Sequence, residues 1–205
     1  MDVVQDIRNT LRLGQSWAAG CPTWEDALDT LVKKIEEIGI IVVFNGVVGN
    51  NTHRVIPVEE CRGFVLVDEY VPFMFVNSVD AKAAQLFTIV HELAHVWLGR
   101  SAGFDFRQLM PADDPAEQLC DQVAAEFLVP EALLRAHWTG IADIRKLATK
   151  FKVSKIVVAR RALDLGLISK PAFFQFYNTY MAEFAAKKQG QEPGGNFYLT
   201  ARRRV

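Results

Sequence analysis

The stretch Phe87-Thr-Ile-Val-His-Glu-Leu-Ala-His-Val-Trp-Leu-Gly99 decides how the rest of the chain is read. Inside it, His91-Glu-Leu-Ala-His95 is an H-E-x-x-H motif. Residues i and i+4 of an α-helix stand one above the other on one face, so His91 and His95 can aim two imidazoles at one ion. Glu92 sits beside the first of them, where its carboxylate can take a proton from water at that ion. This is the hydrolytic core of a zinc peptidase. The motif has only three fixed positions and occurs by chance in unrelated chains, so its setting carries the weight. Ala81-Lys-Ala-Ala-Gln-Leu-Phe87 leads in as helix, and Gly99 offers a stop signal after Leu98. Phe87, Ile89, Val90, Leu93, Ala94, Val96 and Leu98 make the helix apolar nearly all round, the mark of a buried helix. Two histidines and a glutamate on such a helix cost free energy unless something pairs with them, and a metal ion does so.

A zinc site of this kind needs a third protein ligand and an open fourth position. Glu117-Gln-Leu-Cys-Asp-Gln-Val-Ala-Ala-Glu-Phe-Leu-Val-Pro130 supplies the candidate, with Glu117 lying 22 residues beyond His95. Glu117 and Asp121 are again i and i+4, so both can face the first helix. Glu117 is expected to ligate the metal, and Asp121 to accept the outer N–H of a ligand histidine, His91, fixing its tautomer. A second role stays open for Glu117. Asp114-Pro-Ala-Glu117 also reads as a capping box with Asp114 at the N-cap, and a capping glutamate needs no metal.

Phe87-Thr-x-x-His-Glu-Leu-Ala-His95, followed by Glu117-x-x-Cys-Asp-x-x-Ala-Ala-Glu-Phe-Leu-Val-Pro130, resembles the ImmA/IrrE family of metallopeptidases. Arg62-Gly-Phe64 and Phe75-Val-Asn77 upstream fit the same pattern, and the resemblance runs from about Thr23 onward. It implies an α+β, zincin-like peptidase fold: a small sheet plus the H-E-x-x-H helix, with His91, His95 and Glu117 on one Zn2+ per chain and Glu92 as the catalytic residue. It implies cleavage of, or regulation through, a helix-turn-helix repressor or antitoxin-type regulator, in a stress, mobile-element or toxin–antitoxin circuit with a toxin as a further partner. The closest resemblance is to larger members that carry an XRE-type helix-turn-helix domain ahead of the peptidase. On that comparison the chain is expected to be a fragment, lacking that leading domain and truncated at its C-terminal end.

Composition sets outer bounds. Half of the 205 residues are hydrophobic, enough for a full core, and a net charge of −1 gives no global attraction to nucleic acid or membrane. Cys21, Cys61 and Cys120 are an odd count without C-x-x-C spacing, which fits free thiols in a reducing cytoplasm. Met1-Asp-Val-Val-Gln-Asp6 opens no signal peptide, and no uncharged apolar run reaches membrane-spanning length.

Residues 1–138 are expected to form the peptidase domain, with 1–22 as a leading helix and linker. Thr23 caps a helix striped by Leu28, Leu31, Val32, Ile35 and Ile38, with Asp26 at N3, and Ile40-Ile-Val-Val-Phe44 is a β-branched strand. Gly46 to Glu60 reads as a long polar loop, with His53 and Arg54 as its polar anchors. Cys61 ends it, a small apolar group or a thiolate reaching the metal. Gly63–Val67 and Pro72–Val76 read as strands joined by a short link. One of them is expected to be the edge along which substrate pairs, Pro72 suiting an edge. Ser78 or Asp80 is expected to cap the motif helix. Phe104 and Phe106, in the returning loop, can line a specificity pocket or plug the core. A transition-state donor should exist, and His137 and Tyr70 are the candidates.

Residues 139–205 are expected to be a C-terminal helical module. Ile144 to Ile168 has a helix-turn-helix rhythm, with Val153-Ser154 at the turn and Lys155, Arg160 and Arg161 among its basic residues. Two readings follow: a solvated basic face, or DNA contact through Lys155, Arg160 and Arg161. The alternative to proteolysis is therefore a non-proteolytic binding module that contacts a partner protein or DNA. A final helix, Phe173 to Lys188, carries Phe174, Phe176, Tyr177, Tyr180, Met181 and Phe184, a stripe too apolar to leave in water.

Overall fold

Thr23 caps the helix that leads into the sheet. Its hydroxyl accepts from the Asp26 amide while the Asp26 carboxylate returns to the Thr23 amide, a reciprocal capping box at the start of α2 (Trp24–Glu36). The computed structural model describes residues 3–49, 51–68, 70–99, 102–104 and 114–189, with the backbone alone for 102–104 and 184–189. Ahead of α2 comes α1 (Val3–Leu11). After it follow β1 (Ile41–Asn45), β2 (Gly63–Leu66), β3 (Phe73–Asn77), α3 (Lys82–Leu98) and β4 (Ala102–Phe104). Then come α4 (Pro115–Leu128), α5 (Glu131–His137), α6 (Ile144–Phe151), α7 (Lys155–Asp164) and α8 (Lys170–Gln189). The architecture is a mixed α+β fold: a small sheet carrying α2 and α3, with α4 packed across α3, and with α6, α7 and α8 packed in succession.

The sheet has the order β1-β3-β2-β4. β1 runs parallel to β3, with Val42 opposite Met74, and β2 and β3 form an antiparallel hairpin across the 67–72 link. β4 pairs antiparallel with β2. The expectation that β2 or β3 forms the edge is therefore corrected, since each has a neighbour on both sides and the edges are β1 and β4. Pro72 does not mark an edge because it precedes the first ladder residue. Its carbonyl still accepts from the Ile41 amide at 3.0 Å, so the missing N–H costs no bond. Side chains alternate across the pleat, and Val42, Val65, Met74 and Val76 turn inward to join Leu86, Ile89, Val90 and Leu93 of α3 in the core.

The polar loop between β1 and β2 is pinned more firmly than its sequence suggests. Val47 bridges to Val55, and Asn77, fully buried, donates to the carbonyls of Ile56 at 3.0 Å and Cys61 at 2.8 Å. The N-cap of α3 is Ala81, not Ser78 or Asp80. The Asp80 carboxylate is committed elsewhere, to Arg62 at 2.9 Å and to the next amide, Ala81, at 2.8 Å. Gln85 reaches back to the carbonyls of Ser78 and Asp80 and closes the turn.

At the far end of α4, Arg8 is almost wholly buried. It donates to the carbonyls of Glu126 (3.2 Å) and Phe127 (2.6 Å) and to that of Gly14 (3.1 Å), and it lies 4.7 Å over the Phe127 ring. The Glu126 and Phe127 carbonyls belong to the last turn of α4, which leaves them without intrahelical partners, so a cation there satisfies them and favours the helix dipole. Arg161 adds a bond to the Val129 carbonyl and pairs with the Glu126 carboxylate.

α6 and α7 are joined by Lys152–Ser154, with Ser154 capping α7 through the Val157 amide. Ile144, Leu147, Phe151 and Val158 belong to the same apolar cluster as the α3 residues, so the core is continuous across residues 138 and 139. In α8, Phe173 is buried and Phe176 and Tyr177 pack on the body, while Phe174 and Met181 stay exposed. The expectations for Phe106, for the side chains of Phe104 and Phe184 and for the C-terminal tail fall outside the described residues.

Candidate metal centre

Helix α3 is stopped by Gly99, which takes the left-handed conformation (φ 64°) that glycine adopts without strain. Its middle turns place His91 and Glu92 fully out of solvent, and leave His95 2% exposed. α4 packs across α3 and delivers two carboxylates. Asp114 caps α4 alone, accepting from the Ala116 amide, so Glu117 is not held as the return arm of a capping box. Its carboxylate turns to the histidines instead, with Oε2 3.1 Å from His91 Nε2 and Oε1 3.2 Å from His95 Nε2. The two Nε2 atoms are 3.2 Å apart. On the other side of the His91 ring, Nδ1 lies 3.0 Å from Asp121 Oδ1.

These distances constrain the protonation pattern. If Asp121 accepts the Nδ1 proton of neutral His91, then Nε2 presents a lone pair. That lone pair, the Nε2 of His95 and a carboxylate then converge on one point, and three acceptors facing one another call for a cation between them. Their chemistry fits a zinc ion. Tetrahedral bonds of about 2.0–2.1 Å set ligand atoms about 3.3–3.4 Å apart, close to the separations found here. Among the described residues, His91, His95 and Glu117 form a group whose ligand atoms lie within 4.8 Å of one another.

The electrostatics agree with that crowding. Burial opposes charge on His91, but its hydrogen bonds to Asp121 and Glu117 outweigh it and raise its pKa. The bond to His91 holds Glu117 below the usual carboxylate range. Burial, with the neighbouring His91, lowers His95. Glu92 is pushed up to about 8, first by burial and then by Glu117, with His91 acting the other way. Both Glu92 oxygens and His95 Nδ1 are buried without a hydrogen-bond partner among the described residues. A buried carboxyl with no partner is costly in a purely structural setting.

The remaining candidates lie elsewhere. His137 sits exposed on α5, its Nδ1 2.8 Å from the Leu133 carbonyl and its Nε2 2.7 Å from Lys150 Nζ. Tyr70 is 83% exposed in the β2–β3 link, at the opposite end of β2 from Gly63. Neither is brought to the three-residue group. His53 is exposed, and Cys61 is half-buried outside the group, with its thiol raised by burial and by the charge of Glu92. The basic residues of α7 are engaged within the chain. Lys155 lies 3.5 Å from Glu183, Arg160 pairs with Asp164 at 2.9 Å, and Arg161 is held by Glu126.

Sequence reasoning assigned no role to Gly63. A Cβ there would stand 2.5 Å from Thr88 Cγ2, 2.8 Å from the Phe75 carbonyl oxygen and 3.8 Å from Glu92 Cγ. Only a glycine lets β2 come this close to α3 beside the buried carboxylate, and the glycine within Arg62-Gly-Phe64 was the one available signal.

No curated protein is similar enough to the chain to stand as a match. A family model does match residues 36–163, more than half of the chain, and it is described as Peptidase M78, the IrrE N-terminal-like domain. The match takes in β1 to β4, the H-E-x-x-H helix, α4 and nearly all of α7. With the fold and the converging histidines already in place, it settles the relationship: this chain belongs to the M78, IrrE N-terminal-like family and carries a metallopeptidase-like domain.

Proposed function

We propose that the chain is a zinc-dependent endopeptidase that cleaves a regulatory protein, with a helix-turn-helix repressor or antitoxin-type regulator as substrate. The observation that carries this reading is the convergence of His91 Nε2, His95 Nε2 and the Glu117 carboxylate, with the buried, unpartnered Glu92 beside them. His91, His95 and Glu117 would hold the ion, and Asp121 would keep His91 in the ligating tautomer. When bound, zinc polarises a carbonyl and acidifies water. Glu92 would accept the proton of the attacking water and pass it to the leaving amine. Its apolar enclosure suits that exchange, because burial brings its proton affinity toward neutrality.

The regulatory circuit, whether stress, mobile element or toxin–antitoxin, follows from the family resemblance. A cytoplasmic setting is supported by the free thiols of Cys21, Cys61 and Cys120. None of the described helices is long and apolar enough to cross a membrane. The competing DNA-binding reading loses ground because Lys155, Arg160 and Arg161 already face acidic partners. Elemental mass spectrometry of the purified chain should find about one zinc, lost in His91→Ala and Glu117→Ala. Glu92→Gln should retain zinc and abolish cleavage of the repressor. A chain that takes up no zinc on titration, or a Glu92→Gln variant that still cuts, overturns the proposal.

A further inference from the structure

The inner face of the sheet fills the core, yet its outer face is apolar too. The register aligns Ile41, Phe73 and Leu66 in one row across three strands, and Val43, Phe75 and Phe64 in the next. No position of this grid carries a charge or a hydrogen-bonding side chain. Phe64 stacks on Phe75 with ring centroids 5.1 Å apart and lies 6.4 Å from Phe73. Among the described residues, none of these side chains belongs to the core cluster or packs against it, in contrast to Val42, Val65, Met74 and Val76 one residue away along the same strands. Ile41 is 50% exposed and Leu66 53%, and the link beyond them adds Tyr70 and Val71. An ordinary half-buried sheet places polar residues on this side.

We propose that this face is where a second copy of the chain docks, sheet against sheet about a two-fold axis. Three observations select that occupant. The face and its rim expose apolar surface on the order of 600 Å², at the upper end of what a monomer tolerates. That is close to the roughly 800 Å² each partner contributes to a stable interface. The grid is uncharged, so a second copy of it meets no unpaired charge, and two such faces pack at about 10 Å like the layers of a β-sandwich. The exposure is also greatest at the row farther from Gly63 and in the link beyond it, away from Glu92. A partner centred there leaves the metal centre open, which suits a second copy better than a substrate held for cleavage.

Sedimentation velocity on the full chain, from micromolar to several hundred micromolar, tests this. The wild type is expected to pass from monomer to dimer within that range. Ile41→Glu and Leu66→Glu each set a carboxylate into the centre of the face, and each should raise the dimer Kd at least tenfold. Tyr70→Glu, in an exposed link where it cannot disturb the core, should raise it by a smaller factor. Val79→Glu, exposed at the opposite end of the sheet, should leave it unchanged. A wild type that stays monomeric throughout overturns the proposal, even if the face then captures another protein. A dimer whose Kd is unmoved in the Ile41→Glu/Leu66→Glu double variant overturns it as well. Zinc content is measured in parallel and should be the same in all variants, so this result and the peptidase reading stand or fall separately.

Discussion

A methyl group added at Gly63 measures how tightly β2 is pressed against the metal-centre helix. The new Cβ would meet Thr88 Cγ2 at 2.5 Å and the Phe75 carbonyl oxygen at 2.8 Å, both too close, whereas Glu92 Cγ at 3.8 Å is in ordinary contact. Thr88 is 1% exposed and has nowhere to turn. The Phe75 oxygen is backbone of the neighbouring strand, so relief there means parting the ladder. Overpacking a core costs about 1–3 kcal/mol, and a fixed backbone atom puts Gly63→Ala in the upper half, about 2–3 kcal/mol. For a domain of this size each kcal/mol moves Tm by roughly 2–4 °C, so a fall of roughly 4–12 °C is expected. The scan is best run with chelator present, because bound metal adds stability of its own. Thr88→Ser deletes the offending methyl but leaves the carbonyl contact. In a double-mutant cycle it should therefore return about 1 kcal/mol and no more. Gly63→Ala melting within about 1 °C of the wild type, or a cycle with no coupling, would refute the close approach and with it the account of how Glu92 is enclosed.

Three further outcomes follow from the same contacts. Asp121→Asn removes the carboxylate on His91 Nδ1 and should weaken zinc binding by about 10–100-fold in a competition titration, with the chelated protein melting as before. Arg8→Met strips a charged donor from the Gly14, Glu126 and Phe127 carbonyls. With three such bonds, each worth up to about 1.5–3 kcal/mol when a charged group takes part, it should cost at least about 3 kcal/mol in urea unfolding, and a change under about 1 kcal/mol would mean water serves those carbonyls equally well. Cys120 is fully buried, and its thiol is pushed up to about 12 by burial first and then by Glu117, Glu92 and Asp121. Because an acid with a raised pKa stays protonated below it, Cys120 should resist thiol reagents at pH 8 in the folded chain and react once urea unfolds it, which mass spectrometry can follow.

The parts of this molecule that were legible in sequence are those whose logic is local. His91 with His95, and Glu117 with Asp121, are each one helical turn apart, so periodicity alone puts each pair on a common face. The Thr23–Asp26 box and the Ser154 cap are signalled within four residues. What periodicity does not fix is which strand lies beside which. β2 and β3 read well as strands, yet β1 inserts its parallel pairing on the far side of β3, and Ala102–Phe104, with no β-branched residue, supplies the other edge. The partners of the basic run of α7 are hidden from the sequence for the same reason. Lys155 and Arg161 look like a solvated or phosphate-seeking surface until tertiary contact sets Glu183 and Glu126 against them.

Arg8 is the sharper case, because its partners Glu126 and Phe127 are backbone carbonyls more than a hundred residues away. Nothing in a run of amino acids marks a helix end that will need an outside donor, only that some donor must come. The same reasoning ranks the metal centre. Two of its proposed ligands, His91 and His95, share a helix and are placed by the pitch of α3. Glu117 reaches them only if α4 crosses at the right height, and Arg8 and Arg161 tie the far end of that helix to the body. Loosening α4 at its C-terminal end should therefore weaken zinc through Glu117 and Asp121 without touching a ligand, so Arg8→Met is expected to lower zinc affinity as well as stability. An Arg8→Met chain with reduced stability and unaltered zinc affinity would show that the two ends of α4 are held independently.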